Sequence, residues 1–294
     1  MGQSGPMRIP APGDALPWRG DGTTRPPAAA GPVPPERMPL VRDGRPRKRW
    51  RYAGVYGEGL MLCAGLVSVA GLPQTFWAVW DRRAGVLRER TRLGPGRGPG
   101  RAVVLPDGAV RVRDRGVAID LALEPAGDVV EVVSRHGAST IWTRKRPVVA
   151  HGTVVLDGRR TEVVTPGLVD DSAGWHARRT AWDWCAGAGR AADGRAVVWN
   201  LVAGVHDAPV RSERTVWVDG VAREAGPVVF GAGLDTVGGL RFAAEAERAR
   251  HDRVALGVVE SEYRQPFGGF SGTLPGAIAL ADGRGVMERH HARW

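Results

Sequence analysis

The sequence predicts an all-β chain: a disordered, Pro/Arg-rich tail at residues 1–46, then a tandem duplication of antiparallel β-barrels at 47–178 and 179–294. Three observations carry this reading. From Trp50 onwards short apolar runs are separated by turn signals, with Asp-Gly pairs at 107–108, 157–158, 193–194, 219–220 and 282–283, the dipeptide that two-residue hairpins favour. Val117, Ile119, Leu121 and Leu123 alternate with Ala118, Asp120, Ala122 and Glu124, the period of a strand with one buried face. Short motifs also recur in one order: Cys63-Ala64-Gly65 with Cys185-Ala186-Gly187 at an offset of 122, Glu89-Arg90-Thr91 with Glu213-Arg214-Thr215 at 124, and Asp157-Gly158-Arg159 with Asp282-Gly283-Arg284 at 125. A fourth motif, His176-Ala177-Arg178 and His291-Ala292-Arg293, closes each copy. Recurrence at a fixed period announces a duplicated unit.

The elements follow in order. Residues 1–46 hold half of the 22 prolines and show no apolar periodicity, so they bury too little to offset the entropy of ordering them. Residues 1–51 carry ten Lys or Arg against four acids, which is +6 of the net +10. The remaining chain is near charge balance and lacks the footprint of a nucleic-acid-binding surface. Each unit then offers about eight strands, a number that suits a barrel with a small interior. Gly94–Gly100 is glycine-rich but lacks the helix start and Lys-Ser/Thr of a phosphate cradle, so it reads as a hairpin tip. Ala243–His251 favours helix locally, yet placing Gly116 on Gly239 sets Ile119 on Phe242, inside a strand. Strand is therefore expected there, tertiary context overriding a weak local preference. No run approaches the roughly 18 apolar residues of a membrane span, and the N-terminus lacks the apolar stretch of a signal peptide. Cys63 and Cys185 occupy matching motifs and are not expected to pair, which points to the cytoplasm.

Several motifs carry a family likeness. Trp182-x-Trp184 with Ala186-Gly187, Val216–Gly220, Phe267–Thr273 and Glu288–Trp294 resemble the bacterial family known as domain of unknown function 2804, over about residues 40–294. That resemblance implies no activity and no cofactor. It does imply lipocalin-like barrels, because the family looks distantly similar in fold to tandem lipocalin-like proteins of the hydroxyneurosporene synthase type. In such barrels an arginine laid over a tryptophan closes one end, a role expected here for Arg178 with Trp182 or Trp184 and for Arg293 with Trp217.

The candidates for chemistry lie among residues without a counterpart in the other copy. Asp171, His206 and Asp207 are the catalytic candidates, since a carboxylate and an imidazole brought together can do acid–base work near neutrality. Turn and capping roles are the alternative for the same residues. Trp182, Trp184, Tyr263 and Arg264 are the candidate ligand-binding set, aromatic walls with one polar group being typical of ligand pockets. No metal site is expected: Cys-x-x-Cys and His-x-x-x-His are absent, and of Glu288, His290 and His291 only Glu288 and His290 share a strand face. The expected partner is a small hydrophobic molecule, bound or transformed by acid–base chemistry. The competing reading is a non-catalytic structural or interaction protein with filled barrels.

Overall fold

The computed structural model describes residues 16–24, 26–27, 36, 38–94, 102–136, 139–254 and 259–293. The chain builds two curled antiparallel sheets of one topology. In the first, the strands lie in the order Val86–Leu93, Leu72–Asp81, Leu60–Val69, Lys48–Tyr56, Arg159–Gly174, Ser139–Leu156, Val117–Pro125, Ala109–Asp114, Ala102–Val104. In the second the order is Val221–Glu224, Thr215–Val218, Ala196–Ala203, Arg179–Ala191, Ile278–Arg293, Val259–Leu274, Leu240–Val254, Thr236–Val237. In both, the first long strand pairs with the last, which curls the ribbon back on itself into a half-barrel. Ala243–His251 lies within the strand Leu240–Val254, as the repeat requires. Among the described residues no helix is long and apolar enough to cross a membrane.

Four of the five Asp-Gly pairs stand in turns, and Asp157 and Asp219 take positive φ values of 48° in the manner of type I′ hairpins. The fifth, Asp282-Gly283, lies inside the strand Ile278–Arg293. The duplication is present, but most motifs that announced it are not equivalent positions. Cys63 lies on the second long strand of its copy and Cys185 on the first of its own. Glu89-Arg90-Thr91 belongs to the fourth strand, whereas Glu213-Arg214-Thr215 leads into the third. Register gives the true correspondence. Tyr52 faces Asp170 and Trp50 faces Ser172 in the first copy, while Trp184 faces Glu288 and Trp182 faces His290 in the second. Gly116 and Gly239 do match, each ending the turn before an equivalent strand.

Strand alternation produces three apolar layers. One face of the first sheet fills its own interior with residues such as Val55, Leu62, Val79, Ile119 and Leu121. The second sheet does the same with Trp199, Leu201, Phe242, Phe270 and Met287. The outward faces meet back to back through Tyr52, Met61, Trp184, Val202, Trp217 and Phe267. Each half-barrel is therefore filled, and the space that matters lies between them.

One expectation narrows and another needs correction. Residues 1–15 of the tail lie outside the described residues, but Trp18–Gly20 forms a strand antiparallel to Val130–His136. Trp18 packs against the cluster of Met38, Val133, Trp142, Ala173 and Trp175. Arg19 crosses to the second sheet, donating to Ser212 O and, at 3.0 Å, to Thr215 Oγ1. The tail thus adds an edge strand and ties the two sheets together. Arg178 is also not the buried plug over Trp182 or Trp184 that was expected. Arg178 is exposed, while Arg51 pairs with Asp171 and donates to Leu105 O, and Arg289 pairs with Asp183 and donates to Ala232 O. These two ion pairs occupy equivalent positions with the charges exchanged: Arg51 and Asp183 stand on the first strands, Asp171 and Arg289 on the last.

Candidate functional site

Between the back-to-back sheets lies a cavity of about 470 Å³, the size of a drug-like ligand site. Two cross-strand rows of the second sheet line it. One runs Trp184, Glu288, Gln265, Arg248 and the next runs Trp182, His290, Tyr263, Arg250. The facing row of the first sheet runs Phe76, Gly65, Tyr52, Asp170, Lys145. Gly65 is required there, because a Cβ would stand 2.1 Å from the Phe76 ring that lies over it. Equivalent aromatics meet across the gap: Tyr52 and Trp184 stack edge to face at 5.4 Å, and Trp50 and Trp182 at 6.2 Å. Arg248 of the second sheet spans to the first, its guanidinium 4.2 Å from the Phe76 ring and 3.0 Å from Glu89.

Asp170 and Glu288 are equivalent carboxylates with different partners. Asp170 meets the ammonium of its cross-strand neighbour Lys145 at 2.5 Å, and the same ammonium reaches Glu213 at 3.2 Å. Burial opposes the charge on Lys145, but the two carboxylates outweigh it and hold the ammonium protonated. Burial pushes the Glu213 carboxyl up, since one ammonium cannot fully serve two acids. Glu288 has Gln265 where Asp170 has lysine. Its carboxylate accepts from neutral donors: Trp182 Nε1 at 2.8 Å, the Tyr263 hydroxyl at 3.1 Å and Gln265 Nε2 at 3.1 Å. Burial raises its pKa to about 7, against the pull of Trp182, Tyr263 and the nearby Arg248 charge and with added repulsion from Asp170. Burial also holds His290 neutral, its pKa down at about 3, with Nε2 2.8 Å from the Ser261 hydroxyl.

Of the residues singled out from sequence, Trp182, Trp184, Tyr263 and His206 line the cavity. His206 sits at φ 52° with Nδ1 2.8 Å from the Ser134 hydroxyl. Asp171 faces the other side of its strand and is committed to Arg51, at 2.6 Å, and to Arg146, at 3.5 Å. Asp207 accepts from the Gly204 amide at 2.7 Å, the loop-capping role. Arg264 is exposed and pairs with Glu247 at 2.7 Å. The expected acid–base pair of Asp171 and His206 is thus replaced by other commitments. Asp170, Lys145, Glu213, Glu288 and Arg248 take the places that matter. Alternation already set Glu288 and His290 on one face; the sheet they would face was not visible in the sequence. Among the described residues no three His, Cys, Asp or Glu groups converge as a metal site.

Residues 109–294 match the family model described as Domain of unknown function (DUF2804). Among curated proteins none matches. Solved structures similar to this chain include an AttH-like protein from Nitrosomonas europaea, with 16% identity, 88% of this chain and 98% of that chain covered, and a TM-score of 0.49. Kievitone hydratase from Nectria haematococca shows 8% identity over 84% of this chain and 88% of that chain, with a TM-score of 0.49. CghA with Sch210972 shows 10% identity over the same shares, 84% and 88%, with a TM-score of 0.39.

Proposed function

The chain belongs to the DUF2804 family, and from its cavity we propose that it binds a small, largely apolar molecule between its two sheets and exchanges a proton with it through Glu288. The observation that carries this is the contrast between two equivalent carboxylates. Asp170 is neutralised by a lysine, while Glu288 is held by neutral donors and sits near half-protonation at neutral pH. A group poised at the working pH serves equally as acid and base. Trp182 and Gln265 fix its orientation, and burial keeps the Tyr263 hydroxyl protonated as a donor to either Glu288 or a ligand oxygen. The surrounding tryptophans and Phe76 exclude water and strengthen each polar contact. His206 lines the same cavity and belongs to the proposed site with Trp182, Trp184 and Tyr263. Filled half-barrels were the mark of a purely structural protein, but this cavity lies outside both interiors, so they leave room for a ligand.

Two measurements test the reading. The neutral dye Nile red should bind the purified chain, and Ser172→Trp, which projects a large side chain from a half-buried lining position, should weaken binding at least about tenfold. Undiminished binding in that variant would remove the ligand from this cavity. The Trp182 indole N–H resonance should titrate with a midpoint of about 7 and become flat in Glu288→Gln. A resonance already flat in the unsubstituted chain would remove proton exchange.

A further inference from the structure

We propose that the mouth of the cavity docks on an anionic lipid surface, so that the ligand passes between bilayer and cavity without crossing water; this rests on the cavity taking an apolar molecule. Leu72 and Leu93, both cavity-lining, are 74% and 56% exposed, a wasteful arrangement for leucines that serve only a fold. They stand at one end of the first sheet. Leu72 pairs with Val69 at the Ala70-Gly71 turn, Leu93 pairs with Gln74, and the Gly94 amide donates to Pro73 O at 2.9 Å. The hairpin of Val41–Arg42 and Arg45–Pro46 leans on the same turn, since the Ala70 amide donates to Arg47 O at 2.9 Å and Leu40 approaches Gly71. That hairpin adds Leu40 and Val41, 50% and 57% exposed.

Charge favours lipid as the occupant. Lys48 and Arg51 turn inward; Arg42 is exposed, and Arg45, Arg47 and Arg49 are half-buried, Arg45 donating to Ser139 Oγ and Arg47 to Met38 O at 2.6 Å, so the hairpin and its exit hold four arginines against Asp43 and Glu36. Apolar side chains rimmed by cations are the pattern of interfacial binding, the first entering the acyl boundary and the second meeting anionic headgroups. A protein seated on this patch would seal the mouth, whereas a bilayer is itself a reservoir for apolar molecules.

The test is co-sedimentation of the full chain with vesicles of phosphatidylcholine alone, or with about a quarter phosphatidylglycerol. Binding is expected with phosphatidylglycerol, to fall as salt rises, and to drop at least about tenfold in Leu72→Asp/Leu93→Asp and in Arg42→Glu/Arg47→Glu. Both leucines are exposed, so the first pair should keep the parent unfolding midpoint, and Nile red binding without vesicles reports separately on the cavity. An unsubstituted chain that stays off both vesicle types, or a leucine variant that sediments like it, overturns the proposal. Self-association lost in the leucine variant, with no vesicle binding, also overturns it and assigns the patch to a protein contact.

Discussion

Replacing Lys145 with methionine removes the ammonium that Asp170 and Glu213 share while keeping an apolar stem of similar length. The ammonium lies 2.5 Å from one carboxylate and 3.2 Å from the other, and it is 2% exposed. At an effective dielectric constant of about 20 these separations give gross attractions of about 5–7 kcal/mol each, much of it already offset by desolvation. Breaking a buried pair from one side costs about 3–5 kcal/mol, because it strands the remaining charge. Urea unfolding at neutral pH should therefore show a loss in that range. The loss should shrink as the pH falls. Burial already raises Glu213, and Lys145 is what restrains the rise. Without the lysine its folded pKa climbs further above the unfolded value, so its contribution is fully present below about 4.5 and is lost as pH rises. Lys145→Met/Glu213→Gln should recover part of the loss at neutral pH. A loss below about 1 kcal/mol, or one that does not change with pH, would refute the shared-ammonium account.

Three further outcomes are expected. Glu288, raised to about 7, contributes stability that is present below its unfolded value and lost as pH rises through the folded one; Glu288→Gln should gain on the parent between about pH 4.5 and 7, on the order of 3 kcal/mol by chemical unfolding. Arg51→Asp should cost about 3–5 kcal/mol, and Arg51→Asp/Asp171→Arg should regain most of it, since Asp183 and Arg289 use that orientation in the other copy. Arg19→Ala should lower the unfolding free energy by about 1.5–3 kcal/mol, the worth of a hydrogen bond from a charged group, where a tail that touched nothing would leave it unchanged.

Turn chemistry was legible because it is local. Asp157-Gly158 and Asp219-Gly220 need positive φ at both residues, and the dipeptide supplies it. Asp282-Gly283 uses the same letters for another purpose: a Cβ on Gly283 would stand 3.0 Å from the Trp199 ring, so that glycine makes room within a strand. The repeat was legible in its period and not in its register, because three-residue motifs fall on different strands by coincidence, while true equivalents such as Asp171 and Arg289 have exchanged charge and share no letter. Trp182, Trp184 and Tyr263 were found through aromatic density. Asp170 and Glu288 were not legible as a pair, because they share no letter and the partners that set them apart, Lys145 and Gln265, are brought in by strand register that no local motif announces.

The cavity has a further meaning. Tyr52 touches Trp184 and Trp50 touches Trp182, so each position meets its own equivalent in the other copy. Contacts of that kind belong to an isologous interface with a twofold axis through its centre. A single unit could make this cavity only by pairing with itself, and both halves of such a dimer would carry the same carboxylate with the same partner. Two units in one chain are free of that constraint, and here one half holds a lysine beside its acid and the other a glutamine. The asymmetry that singles out Glu288 is something a symmetric dimer could not hold.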